Sequence, residues 1–241
     1  MKVIGFLVVG SGEADRYLEA TLKEFKRLCD DAIIVGNNTD PKTEALVKKY
    51  GYWFYRDDRE WGKYQPDIKT DLLAKVARLN PDWILPLDAD EVLDSTVDRA
   101  ELERLAEGNV ACYFYIVNLW NEEGRYARGL SFWNIRFYKF MPEYGLQFLK
   151  KPVHCGLAPP FAYKMGRYVP HLVKHYGLMR PEDRQKKIER YQKYDPRAVW
   201  KASSYYEALA SEATGSVFNE EEVMRKVGEE TNKMKYQKTY G

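Results

Sequence analysis

The sequence predicts an α/β protein: a mixed, mainly parallel sheet with flanking helices, followed by a helical C-terminal extension. Three observations carry this prediction. Short apolar runs alternate with segments of helical period through the first 94 residues. The fourth run, in "DWILPLDADEVLD", breaks into Asp88, Asp90, Glu91 and Asp94. Beyond about residue 180 the chain turns polar and helical.

The elements follow in order. "KVIGFLVV", bounded by Gly10 and Gly12, has the continuous apolar character of a strand buried on both faces. Leu18, Leu22, Phe25 and Cys29 recur at helical spacing. "AIIVG" is a second strand. Asp40 as N-cap, Pro41 at the first helical position and Gly51 as stop frame the next helix. "YWFY" is a third strand, and Ile68, Leu72, Val76 and Leu79 mark a helix ending at Asn80-Pro81. "DWILPLD" is the fourth strand, with Pro86 near its end, where a missing N–H does least harm to the ladder. Strands alternating with helices in this way predict parallel pairing through right-handed crossovers.

After Asp94 the pattern changes. Asp98 and Glu101 form a capping box for a short helix to Glu107. "VACYFYIVNLW" and "LSFWNIRFYKF" read as two long strands joined by a turn at Glu123-Gly124. "QFLKKPVHCGLAPPF" reads as irregular, "YVPHLVKHYG" as one more strand, and "RPEDRQKKIERYQKY" as a basic helix. A last, weakly attached helix starts at Glu220–Glu222. Residues 1–195 are expected to form one domain, split into halves 1–94 and 95–195, with 196–241 as the extension.

The net charge of +2 is unevenly spread. Residues 146–201 hold 13 Lys and Arg against 4 Asp and Glu, whereas residues 1–145 carry a net −5. A basic segment opposite an acidic one fits a phosphate-bearing ligand held between a cation and basic side chains. Near-neutral overall charge argues against a nucleic-acid-binding module. The three cysteines, Cys29, Cys112 and Cys155, have neither metal spacing nor an even count. "VIGFLVVG" is too short to span a bilayer and has poor signal-peptide flanks. A cytoplasmic location and no transmembrane segment are expected.

Ligands of doubly wound sheets bind beyond the carboxyl ends of the parallel strands, which is where Asp88 and Asp90 fall. Alternate residues there can converge on one hard cation, Mg²⁺ or Mn²⁺. An EF-hand loop starting at Asp88 fails, because Leu93 and Arg99 stand where Gly and Glu are needed. A dinucleotide fingerprint fails at Asp15, where a third Gly is needed.

"DWILPLDADEVLD" resembles the Asp-X-Asp segment of family 2 glycosyltransferases, nucleotide-sugar-dependent enzymes of the GT-A (Rossmann-like) fold. "GEADRYLEATLKEF", "DDAIIVGNNTDPKTEALVKKYG", "WNIRFYKFMPEYGLQF" with "VHCGL", and "HYGLMRPEDRQKKIERY" are similar to further segments of that family, in the same order. The resemblance implies Asp90 as ligand of a divalent cation, Mn²⁺ or Mg²⁺, and Asp88 as a ribose or cation ligand. It also implies His175, or secondarily His171, as a further metal ligand. Lys174, Arg180 and Arg184 would engage the diphosphate. Ser11, Asn37, Asp57 and Lys69 are the remaining donor-site candidates, Asn37 standing where the family often has an acidic residue.

Cys155 stands where the family often has Glu, so the general base is sought in His154, then Glu122, Glu123 and Glu143. The expected partners are a nucleotide-diphosphate sugar (a UDP-sugar first), an acceptor that is a glycan, lipid-linked glycan, protein or nucleic acid, and a second copy of the chain through the C-terminal helices. The alternatives are a nucleotidyltransferase and a non-catalytic nucleotide- or glycan-binding relative.

Overall fold

The structure is a computed structural model that describes residues 1–121, 124–151, 153–196, 209 and 216–240. Strand β1 (Val3–Val9) lies inside the sheet, parallel to β2 (Asp31–Gly36) on one side and β4 (Trp83–Pro86) on the other. β3 (Trp53–Arg56) adds in parallel to β2 at the edge. The alternation along β1 decides how it is covered. Val3, Leu7 and Val9 face α1 (Leu18–Leu28) and α2 (Pro41–Lys49), whereas Ile4 and Phe6 face α3 (Trp61–Ala77). Asp40 caps α2 as expected, accepting from Thr43 N at 2.9 Å.

β4 is central despite Pro86. Its neighbour β8 (Phe132–Lys139) pairs only with Trp83 and Ile84, so the missing N–H falls after that ladder has ended. β6 (Ala111–Asn118) pairs antiparallel with β8, and the turn expected at Glu123-Gly124 falls partly outside the described residues. β9 (Gly166–His175) runs parallel to β6. The outermost strand, β5 (Glu91–Leu93), was not anticipated: it leaves the acidic turn and pairs antiparallel with β9. The sheet order is β3-β2-β1-β4-β8-β6-β9-β5, with four of seven pairings parallel (β1–β2, β1–β4, β2–β3, β6–β9). This is the mixed, GT-A-like arrangement.

Short helices α4 (Arg99–Ala106) and α5 (Pro160–Met165) pack on opposite faces, and α6 (Pro181–Tyr194) is the basic helix. A small ribbon pairs β7 (Arg125–Tyr126) with β10 (Ser216–Val217). The last helix, α7 (Glu220–Tyr240), is more firmly attached than its composition implied. Val223 and Val227 are buried against Val117, Leu172 and Tyr126, and Glu220 accepts from Ser95 N and from Lys174. Among the described residues, no helix is long and apolar enough to cross a membrane.

Candidate functional site

Strand register brings the acidic turn to the histidine-bearing strand. Glu91 of β5 sits opposite His175 of β9, and Tyr176 N donates to Asp90 O at 2.9 Å. Asp90 Oδ2 thereby lies 3.4 Å from His175 Nε2, across 85 residues of sequence. Burial alone would raise the Asp90 pKa; His175, with Lys187 and Arg16 further off, outweighs it and holds the carboxyl below the usual range. On the other side of the ring, Asn118 Oδ1 is 2.5 Å from His175 Nδ1.

The space in front of this pair is kept open by Gly177. A Cβ there would sit 2.1 Å from Asp90 Oδ2 and 2.9 Å from His175 Nε2, inside van der Waals contact with both. One hard carboxylate and one imidazole face a cradle that any larger residue would fill. Among the described residues no group of three His, Cys, Asp or Glu is placed to hold a metal. Asp90 and His175 by themselves would leave a Mg²⁺ or Mn²⁺ ion most of its positions for water and phosphate oxygens. The residues fit such a cation.

Asp88 lies on the same turn in a different setting. Its carboxyl opens into the cleft at 45% exposure and comes 3.9 Å from Arg136 Nη2. The cleft walls desolvate it and the neighbouring Glu91 repels it, so its pKa rises, opposed by Lys69 and Arg136. Beneath it, Arg136 makes a bidentate pair with Glu91, Nε to Oε2 at 2.7 Å and Nη2 to Oε1 at 2.5 Å, with side chains 3% and 1% exposed. Glu91 Oε2 also accepts from Asp88 N at 3.1 Å. This buried pair is the mechanical support of the acidic turn.

The cleft measures about 270 Å³ and is lined by Asp88, His175, Lys69, Lys187, His154 and Tyr191 among others. Lys69, 3% exposed, donates to Gly156 O at 2.6 Å and so ties α3 to the segment carrying His154. On α6, Lys187 and Tyr191 line the cleft, and Asp195 follows at the same four-residue spacing. The His154 ring stacks on Tyr191 at 4.9 Å, and its Nε2 lies 3.3 Å from Asp195 Oδ2.

Several sequence candidates stand elsewhere. Ser11 Oγ donates to Asp40 at 3.1 Å. Asn37 donates to the carbonyls of Asp57 and Arg59 at 2.6 and 2.8 Å, holding the loop after β3. Asp57 chelates Arg59 and lines a separate pocket between β3 and α3. Arg180 lies over the Tyr17 ring, at 6.0 Å from its centroid, and Tyr17 stacks on Tyr176 beside Asp90. Arg184 donates to the carbonyls of Trp120, Leu178 and Met179 and covers the Trp120 ring, so it braces the loop before α6. Lys174 pairs with Glu220 at 2.9 Å.

His171 is tied to Glu101 at 2.6 Å and Asp94 at 3.4 Å, beside α4. Glu143 is exposed in a short 3-10 turn, Pro142–Tyr144. Glu122 and Glu123 lie outside the described residues. Cys155 is 2% exposed and packs in the core under α3, where burial pushes its thiol up. In the loop after β1, burial raises the Glu13 carboxyl to about 7, with Arg16 opposing.

Sequence reasoning missed Asn118, Lys187 and the Glu91–Arg136 pair. The spacing of Lys187, Tyr191 and Asp195 was available as a signal, and so was a lone Arg inside the aromatic strand "FWNIRFYK". Asn118 carried none.

No family model and no curated protein sequence matches the chain. Among solved structures, its fold is similar to that of S. aureus TarS, with a TM-score of 0.52 and 11% identity over 85% of this chain and 45% of that one. The chain thus spans less than half of TarS, and at that identity the likeness establishes the fold alone. Weaker similarities carry no argument here. One is to CMP:2-keto-3-deoxy-manno-octonic acid synthetase complexed with CTP, with TM-score 0.41, 11% identity, 83% of this chain and 100% of that one. Another is to Mycobacterium tuberculosis glucosyl-3-phosphoglycerate synthase in complex with Mn²⁺, UDP and glucosyl-3-phosphoglycerate, with TM-score 0.33, 14% identity, 48% of this chain and 44% of that one.

Proposed function

We propose that the protein is a divalent-metal-dependent glycosyltransferase that moves a sugar from a nucleotide-diphosphate sugar, a UDP-sugar first among the candidates, to an acceptor hydroxyl with inversion. The observation that carries the reading is the Asp90–His175 pair facing the Gly177 cradle at the carboxyl end of the parallel strands, with Lys187 across the cleft. Asp90 and His175 would hold Mn²⁺ or Mg²⁺, which would supply Lewis-acid stabilisation of the charge on the departing diphosphate. Lys187 engages the diphosphate as a point charge. Asp88, held by the Glu91–Arg136 pair, accepts hydrogen bonds from donor hydroxyls.

His154 is the general base of this reading. It takes the acceptor proton as the acceptor oxygen bonds to the anomeric carbon; the bond from that carbon to the diphosphate breaks, and its electron pair leaves with the diphosphate. The Asp195 carboxylate, 3.3 Å from Nε2, steadies the imidazolium, while Tyr191 holds the ring plane. This assignment replaces the carboxylate that Cys155 does not provide. The loop after β1 favours glycosyl over nucleotidyl transfer, because its cations are already engaged: Arg16 pairs with Glu13 and Asp183, and Lys42 with Asp15.

Thermal unfolding with UDP, GDP, dTDP and CDP, each with Mn²⁺ or EDTA, tests the donor site, because a ligand of the native state raises the midpoint. One nucleotide is expected to give a Mn²⁺-dependent rise that disappears in Asp90→Ala. No rise with any of them overturns the reading. With the matching nucleotide sugar, His154→Gln is expected to keep the rise and lose about 10²–10⁴-fold in turnover. Absence of any turnover by the wild type would leave a binding protein.

A further inference from the structure

We infer that Asn118 is a positioning residue that reserves His175 Nε2 as a ligand for a divalent cation, an inference that rests on the metal-dependent reading above. Asn118 is the last residue of β6, is 1% exposed, and lies in ladder register with His175. Its amide has a fixed orientation. Nδ2 donates at 2.6 Å to the carbonyl of Leu130, which can only accept, so Oδ1 must face the imidazole. Oδ1 is itself only an acceptor, 2.5 Å from Nδ1, and therefore Nδ1 carries the hydrogen. With that hydrogen fixed on Nδ1, Nε2 is the nitrogen whose proton a cation would displace; it lies 3.4 Å from Asp90 Oδ2, against the Gly177 cradle.

The choice of an amide matters. A carboxylate behind the ring would also hold the hydrogen on Nδ1, but it would add charge to a turn already holding Asp88, Asp90 and Glu91. A neutral acceptor sets the tautomer without that added charge. The Leu130 carbonyl belongs to the 3-10 turn Arg128–Leu130, and Ser131 Oγ accepts from Asn118 N at 3.4 Å, so the segment leading into β8 backs the whole relay.

The test is a Mn²⁺ titration of the full chain, with and without UDP, in which electron paramagnetic resonance reads free Mn²⁺ and spin-echo modulation reads a bound histidine nitrogen. Asn118→Leu is expected to weaken Mn²⁺ binding about 10–100-fold and to remove the nitrogen modulation. Asn118→Asp, which keeps an acceptor at Nδ1, is expected to retain the modulation. Asn118→Ala replaces Asn118→Leu if the latter does not fold, with the same expectation. Wild-type affinity and modulation in Asn118→Leu or Asn118→Ala would overturn the inference alone. No Mn²⁺ binding by the wild type under either condition would overturn it together with the metal-dependent reading.

Discussion

β9 carries two buried histidines four residues apart, and the two flanks of the strand treat them in opposite ways. His171, on the α4 side, is enclosed by Asp94 and Glu101, with Thr96 Oγ1 at 3.4 Å and the Phe114 ring nearby. His175, on the cleft side, has a neutral amide behind it and one carboxylate in front. Two carboxylates raise the His171 pKa and tie α4 to the sheet through its ring. His175 instead has an amide at Nδ1 and the Gly177 cradle at Nε2. Burial is nearly equal, at 6% and 9%, so accessibility does not separate the two histidines; their partners do.

The sharpest way to break this comparison is to remove each ring in turn. His171→Leu leaves Asp94 and Glu101 facing a hydrocarbon, and is expected to cost about 3–5 kcal/mol in urea unfolding while the folded protein still binds Mn²⁺. His175→Leu is expected to cost less than about 2 kcal/mol, because the Asp90 side chain keeps 21% of its exposure, but to lose Mn²⁺ binding. The reverse pattern would exchange the roles assigned to the two residues.

A smaller effect is expected from pH. Burial pulls the His171 pKa down, but its bonds to Asp94 and Glu101 outweigh this and raise it. Burial would raise Asp94; His171, Thr96 and Leu172 N hold it low. Glu101 is lowered first by Arg104 and then, against burial, by His171. The His171 contribution is fully present below its unfolded pKa of about 6.5 and is lost as pH rises through the raised folded value. The carboxylate contributions are present above about pH 4 and are lost as pH falls through the lowered folded values. The gap in melting temperature between wild type and His171→Leu should therefore be widest at about pH 5–6 and narrow on both sides. A gap that does not change with pH would mean that His171 is not held as a cation.

The smallest effect sharpens the contrast at the other end of the site. Asp40 accepts from Gly12 N at 2.6 Å, from Ser11 and from Thr43, and these bonds hold its carboxyl below the usual range. Asp40→Ala is expected to cost about 1 kcal/mol in thermal unfolding. A larger loss of nucleotide affinity than of stability would place the Ser11–Gly12 loop in donor binding.

What was legible in the sequence was what depends on near neighbours. β1, β2 and β4 are buried on both faces and read as unbroken apolar runs, and the Asp40-Pro41 start of α2 needs only four residues to be recognised. β5 is too short for a period, and its pairing with β9 spans about eighty residues, so local pattern held no trace of it. The same non-local ladder decides the site. "DAD" and "HYG" could each be singled out, but the difference between His171 and His175 depends on Asn118, 57 residues before His175, and on the backbone carbonyl behind it. Lys187 is a different case. It resembles its neighbour Lys186, and only its four-residue spacing to Tyr191 and Asp195 sets it on the cleft side of α6.

The most direct measurement is anomalous diffraction at the manganese edge from crystals grown with Mn²⁺ and UDP. The account predicts one manganese peak within bonding distance of both an Asp90 carboxylate oxygen and His175 Nε2, with the diphosphate between it and Lys187. A peak at His171 and Asp94 instead, or bound nucleotide with no manganese at Asp90 and His175, would contradict it.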